Sequence, residues 1–189
     1  MFDRCTETII RQVGDIGRMV DEFSSFARMP APRFGAANPA EMLREAVFAQ
    51  RVAAADIGVD LIEPLPKTSL RCDARMVGQA LVNILENAIA FSPDGSTIEL
   101  AAYEDRGSVV ISIEDEGKGI PTAELELVFD KFRRMEEQPD RSKGAGLGLA
   151  IAKGFVEAMG GRIAAASPIH DGKGTRMLIS LPKGVATPH

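Results

Sequence analysis

Over residues 1 to about 29, Phe2, Cys5, Ile9, Val13, Ile16, Val20, Phe23 and Phe26 recur at spacings of three and four. That period puts them on one stripe of a long amphipathic helix, with Arg, Asp, Glu and Gln on the other faces. The stripe is narrow, closer to a heptad seam than to a broad core-facing side. It predicts a partner helix in a dimer or hairpin, the alternative being a helix laid on its own domain. Gly14 and Gly17 each weaken the helix by about 1 kcal/mol. Pro30 and Pro32 stop it, because proline cannot continue a helix. A linker over 30–37 follows, then a helix over about 39–53 that Asn38-Pro39 opens. Short strands are predicted over 59–63 and 68–72. Asp73 is placed to cap a strong helix over about 74–91, with Met76, Val77, Ala80, Leu81, Ile84, Leu85 and Ala88 on its apolar side.

Pro93-Asp94-Gly95 reads as a turn. Alternating positions then predict strands over 97–104 and 108–114, joined by an Asp105-Arg106-Gly107 hairpin. A short helix over about 122–128 follows Pro121. Residues 131–145 carry charge, Pro139 and Gly144 without periodicity, and read as a mobile loop. A helix over about 147–159 ends at Gly160-Gly161. Strands over 162–167 and 175–181 close the chain, and 184–189 reads as a frayed tail. The sum is an α+β arrangement: a mixed or antiparallel sheet with helices on one face.

Composition narrows the function classes. In 189 residues, 45% are hydrophobic and 26% charged, the balance of an ordinary globular chain. A net charge of −5 gives no basic footprint for nucleic acid. The sequence contains no run long enough to span a bilayer and no signal-peptide pattern, so no membrane contact by this chain is expected. Cys5 and Cys72 stand far apart and form neither a disulfide framework nor a zinc pattern, which fits a reducing, cytoplasmic compartment.

Three segments carry candidate chemistry. Asn83 and Asn87, four apart, share a helix face; amide oxygens are neutral hard ligands of the kind Mg²⁺ accepts beside phosphates and water. Glu86 lies on a different part of that helix surface. Asp115 ends a strand and enters a turn built on Gly117 and Gly119. Its carboxylate can accept from an exocyclic amine such as that of adenine, and the glycines let backbone approach a base. Gly144, Gly146 and Gly148 stand at the entrance of the 147–159 helix, where exposed N–H groups and the helix dipole favour phosphate oxygens. Taken singly, each is also an ordinary feature: a polar helix face, a hairpin turn, a helix start. A dinucleotide fingerprint does not fit, because the glycine run follows a charged loop rather than a first strand. A P-loop does not fit either, since no Gly-Lys-Ser/Thr closes it.

In order and spacing these segments resemble the catalytic ATP-binding domain of sensor histidine kinases, within the broader family shared with DNA gyrase, a heat-shock chaperone and a mismatch-repair protein. The resemblance covers 38–183. Asn83-Ile84-Leu85-Glu86-Asn87-Ala88 resembles the asparagine box, and Asp115-Glu116-Gly117-Lys118-Gly119 the first glycine box. Phe129-Asp130-Lys131-Phe132 resembles the phenylalanine box, Gly144 to Leu149 the second glycine box, and Gly174-Thr175 the element that closes the pocket. The helix ending at Pro30 resembles the second helix of a dimerisation hairpin, with Asp21 to Pro30 similar to nitrogen-regulation sensors. The segment from Gly146 to Gly161 is more similar to potassium-sensing kinases.

The resemblance implies a Bergerat-type two-layer α/β sandwich that binds ATP and Mg²⁺ under a lid at about 131–145. By it, Asn87 holds the metal and Asn83 lies beside the phosphates. Asp115 recognises the adenine amine, Gly117 and Gly119 shape the base pocket, and Ile120 and Thr175 belong to the nucleotide-binding set, Thr175 in the element that closes the pocket. Lys131, Phe132 and Arg134 belong to the lid, Arg134 where the family often has an arginine reaching the γ-phosphate. Gly144, Gly146, Leu147 and Gly148 form the phosphate-side hinge. Implied partners are a response-regulator receiver domain and an own or partner dimerisation hairpin carrying the acceptor histidine, with a homodimer through helix 1–29.

Two departures stand out. Many members carry a lysine three positions after the second asparagine, where this chain has Ala90; Lys131, Arg134 or Lys143 would have to supply that contact. No histidine sits on a hairpin helix: His170 falls in a turn between strands and His189 is the last residue. The chain therefore reads as a catalytic region whose acceptor histidine is expected to come in trans or from sequence outside these 189 residues. A nucleotide-gated dimerisation or docking module without kinase activity is the alternative. A gyrase- or chaperone-type hydrolase is disfavoured, because those proteins place a glutamate where Asn83 stands.

Overall fold

The computed structural model describes residues 2–54, 56–130 and 146–184. Helix α1 (Phe2–Ala27) is followed by strand β1 (Gly35–Ala37), helix α2 (Pro39–Ala53), strands β2 (Gly58–Leu61) and β3 (Leu70–Cys72), and helix α3 (Ala74–Phe91). Strands β4 (Thr97–Asp105) and β5 (Ser108–Asp115), helix α4 (Gly148–Ala158), and strands β6 (Arg162–Ala166) and β7 (Thr175–Pro182) complete it.

On α1, Ile9, Val13, Ile16, Val20 and Phe23 each remain more than half exposed. These five positions of the expected seam are uncovered among the described residues. Asn38 opens α2 by accepting the Ala40 N–H through its side chain, with Pro39 in the first turn. Asp73 caps α3: Oδ1 accepts the N–H groups of Arg75 and Met76, and Oδ2 that of Arg33. The last bond ties the segment before α2 to the start of α3. The buried residues of α3 are Met76, Val77, Ala80, Leu81, Ile84, Leu85 and Ala88, the side that the 3.6-residue period selects.

The main sheet has the order β2-β4-β5-β7-β6. Its β4–β5, β5–β7 and β6–β7 pairs are antiparallel, while β2 runs parallel to β4. Along β4, β5 and β7, Ile98, Leu100, Val109, Ile111, Ile113, Met177, Ile179 and Leu181 are buried. They form one core with the apolar sides of α2, α3 and α4. On β4 the intervening positions Glu99 and Tyr103 are exposed, whereas on the central strand β5 Val110 and Ser112 are buried as well. The fold is α+β, with a mixed, mostly antiparallel sheet.

Two expectations change. The predicted helix over 122–128 is a pair of 3₁₀ turns, Thr122–Glu124 and Leu127–Phe129. Their bonds are of the i→i+3 kind, Leu125 N–H to Thr122 and Asp130 N–H to Leu127. So short a stretch cannot offset the cost of nucleating an α-helix. The stretch read as a linker contains β1, which pairs antiparallel with β3, Gly35 opposite Cys72. A Gly-Ala-Ala strand has no alternation to announce it. The expected lid at 131–145 and most of the tail, 185–189, lie outside the described residues.

Candidate functional site

Helix α3 is the spine of the site. Asn83, Asn87 and Phe91 recur every four residues, so they lie along one side of the helix. At the first, the Asn83 side-chain Nδ2 donates to the carbonyl of Gly148 at 3.1 Å, which joins α3 to the start of α4. At the last, the Phe91 carbonyl lies against the glycine turn after β5. A Cβ built on Gly117 would come within 2.9 Å of that oxygen and 2.8 Å of Asp115 Oδ1. With a rise of 1.5 Å per residue, the two contacts are about 12 Å apart along the axis and Asn87 sits about 6 Å from each.

The two asparagines differ in how their amides are used. Asn83 Oδ1 accepts from Gln79 Nε2 at 2.8 Å while its Nδ2 serves Gly148. Its amide is committed to the α3–α4 joint. Asn87 is half-buried, and its side chain has no hydrogen bond among the described residues. Gln79, one helical turn before Asn83, is a member of this joint that sequence reasoning missed, although the i, i+4 spacing carries the signal.

Asp115 closes β5 opposite Thr175 of β7, and both are buried, at 8% and 5% exposure. Burial pushes the Asp115 carboxyl up from the usual aspartate range to about 6, although the N–H groups of Gly117 and Thr175 favour its ionised form. The Gly117 N–H reaches Oδ1 at 2.8 Å. No cation pairs with this carboxylate among the described residues. A buried acid held only by backbone donors keeps acceptor capacity for a further polar group.

The glycine turn is fastened to the β6–β7 connection. Gly174 N–H donates to the Gly117 carbonyl at 2.7 Å, and Ile120 N–H donates to Ser167 Oγ at 2.7 Å. Gly119 and Gly174 have φ of +82° and +80°, the region glycine adopts without a Cβ clash. Ile120 packs half-buried against the core. Ser167 carried no local signal, because its partner Ile120 is 47 residues away.

At the other end, Gly146 has φ +76° and Leu147 is fully buried. Helix α4 starts without a side-chain cap, so its first N–H groups are not satisfied by a capping side chain. The structure thus places Asn83 with Gly148 at one junction of α3 and Gly117, beside Asp115, at the other, with Asn87 between them; Thr175 stands opposite Asp115, and Gly119 and Ile120 are held by Ser167 and Gly174. Lys131, Phe132, Arg134 and Gly144 lie outside the described residues, as does Lys143. No group of three His, Cys, Asp or Glu side chains forms a metal cluster among the described residues. Among the described residues, no helix is long and apolar enough to cross a membrane. Of the two histidines, His170 is exposed and lies 3.7 Å from Glu114, and His189 is outside the described residues.

Comparison with known proteins adds a relationship. The model of the histidine kinase-, DNA gyrase B- and HSP90-like ATPase family matches residues 72–185. Nitrogen regulation protein NtrY of Azorhizobium caulinodans is 44% identical over 170 residues, covering 86% of this chain and 21% of NtrY. Sensor protein KdpD of Clostridium acetobutylicum is 47% identical over 94 residues, 49% of this chain and 10% of KdpD. The chain therefore spans about a fifth and a tenth of the length of these curated relatives. The structure of the mycobacterial sensor histidine kinase MprB aligns with a TM-score of 0.70 at 31% identity, over 79% of this chain and 97% of that one.

Proposed function

The chain belongs to the histidine kinase-, DNA gyrase B- and HSP90-like ATPase family, and from that premise we propose that it is the ATP-binding catalytic region of a two-component sensor histidine kinase. The observation that supports this reading most is the pair of junctions on α3, Asn83 with Gly148 and Phe91 with Gly117. They hold the Asp115 turn and the start of α4 against the same side of the asparagine helix, the arrangement that one nucleotide spanning both would need.

The residues fit an adenine nucleotide with Mg²⁺. Asp115 accepts from the exocyclic amine of the base. Gly117 and Gly119 keep the backbone bare beside the ring, with Ile120 as an apolar wall and Thr175 as the buried neighbour of the carboxylate. Asn87 is the metal's protein ligand, since its amide is uncommitted among the described residues, and such a metal takes few protein oxygens when phosphates and water supply the rest. Asn83 holds the α4 N-terminus in place beside the phosphates. Gly146, Leu147 and Gly148 present uncapped N–H groups there, with Gly144 on the same hinge and Lys131, Phe132 and Arg134 on the lid. When bound, the magnesium nucleotide supplies the transferable phosphoryl group; the protein's part is positioning and charge stabilisation rather than a covalent nucleophile.

The acceptor is a histidine on a dimerisation hairpin, which α1 resembles in its uncovered apolar stripe. The downstream partner is a response-regulator receiver domain, and the setting is cytoplasmic. Mixing the chain with a separate acceptor hairpin and γ-labelled ATP tests the reading: acid-labile phosphohistidine that depends on Asp115 supports it. Nucleotide binding with no transfer to any acceptor hairpin would favour a binding module instead.

A further inference from the structure

Ser167 follows β6 directly and sits where the β6–β7 connection crosses the glycine turn. Its hydroxyl donates to the Gly174 carbonyl at 2.8 Å and accepts the Ile120 N–H at 2.7 Å. Gly174 in turn donates to the Gly117 carbonyl at 2.7 Å. One hydroxyl thereby closes a relay from Ile120 through Ser167 and Gly174 to Gly117, fixing both ends of the turn. A Cβ on Gly119 would stand 2.7 Å from Ser167 Oγ, so the hydroxyl packs directly on the turn with no room for an intervening water. Residue 174 also precedes Thr175, the cross-strand neighbour of Asp115. The same relay therefore sets the register of the two strand ends that flank the carboxylate.

The geometry points to Ser167 as a positioning residue for the base end of the nucleotide site, holding Gly119 and Ile120 where a purine ring lies against them. This rests on the nucleotide reading above. Among the described residues the Ser167 hydroxyl bonds Ile120 and Gly174, while the Asn83–Gly148 joint has its own partners, so the influence of Ser167 falls on the base end rather than the phosphate end. Losing the hydroxyl removes partners from the Ile120 N–H and the Gly174 carbonyl at once, and half-buried backbone groups do not tolerate that without moving.

The test uses the full chain. Ser167→Ala is expected to weaken a non-hydrolysable ATP analogue by roughly five- to twentyfold and to lower the preference for the ATP analogue over the GTP analogue by a similar factor. Competition by magnesium triphosphate, which has no base, is expected to stay unchanged, and Ser167→Thr, which keeps the hydroxyl, restores the base preference. In the unmutated chain the Ile120 amide is expected to be protected from hydrogen exchange. An alanine variant with unaltered affinity and base preference overturns the proposal. So does an equal loss for ATP and triphosphate, which marks a general structural role, or an Ile120 amide in the parent chain that exchanges as fast as an open loop. Those failures leave the nucleotide reading standing; that reading falls, and takes this proposal with it, only if the unmutated chain binds no adenine nucleotide.

Discussion

Replacing Asp115 by asparagine should move stability and ligand affinity in opposite directions. The side chain keeps its shape, and its Oδ1 can still accept the Gly117 N–H. What changes is charge in a site only 8% exposed. The folded-state pKa of about 6 stands above the ordinary aspartate value of 3.8, so the folded protein holds this proton more tightly than the unfolded chain. The associated stability is present below the unfolded pKa and is lost as pH rises from about 4 to 6, leaving an ionised, desolvated carboxylate at pH 7. A shift of about two units corresponds to roughly 3 kcal/mol at most, so Asp115→Asn should stabilise the chain at pH 7 by about 1–3 kcal/mol. The nucleotide loses a charged acceptor worth about 1.5–3 kcal/mol, which weakens binding roughly 10- to 150-fold. Urea unfolding at pH 7 gives the first quantity and calorimetry with an ATP analogue the second. Adenosine affinity should also fall as pH drops through about 6 in the parent and stay flat in the variant. A variant that is less stable than the parent and binds equally well refutes the reasoning.

The two asparagines should separate. Asn83→Ala breaks the Gln79–Asn83–Gly148 joint and should cost about 1–2 kcal/mol in thermal or urea unfolding. Asn87→Ala should change stability by less than about 0.5 kcal/mol yet remove the Mg²⁺ dependence of nucleotide binding, measured by calorimetry with and without the metal. Asp73→Ala should lower stability by about 1–2 kcal/mol through the lost cap of α3. Burial opposes the Asp73 charge, but the N–H groups of Arg33, Met76 and Arg75 and the Arg75 charge hold its carboxyl below the usual range. Its contribution is therefore present above the unfolded pKa and should disappear as pH falls through the folded one, which unfolding midpoints across an acid series will show. Leu85→Ala, at a fully buried position, should cost about 2–5 kcal/mol by cavity formation without altering relative base preference.

The elements legible in the sequence were those with a repeating local cause. Helix α3 has seven apolar positions on one side and an aspartate cap, and its bounds and buried face match the pattern. Strand β4 alternates in burial over Ile98 to Tyr103 and meets β5 at Arg106-Gly107, both with positive φ, the conformation a two-residue hairpin requires. Strand β1 was not legible, because its Gly-Ala-Ala exists as a strand only through pairing with β3. The 3₁₀ turns looked helical because their apolar spacing is the same over so few residues. For the candidate site, motif order singled out Asp115, Asn83 and Asn87 as candidates. Sequence could not show that Asn83 spends its amide on Gly148 while Asn87 does not, since that is decided by a contact 65 residues away. The Ser167 relay was hidden for the same reason.

The central claim is that one ligand touches all three segments gathered by α3. Titrating isotopically labelled protein with an ATP analogue and Mg²⁺, and following the backbone amides of Asn87, Gly117, Ile120, Thr175, Gly146 and Gly148, tests it most directly. The account predicts that all six respond together and saturate with one dissociation constant. Shifts confined to one segment, or segments that saturate at different concentrations, would contradict it.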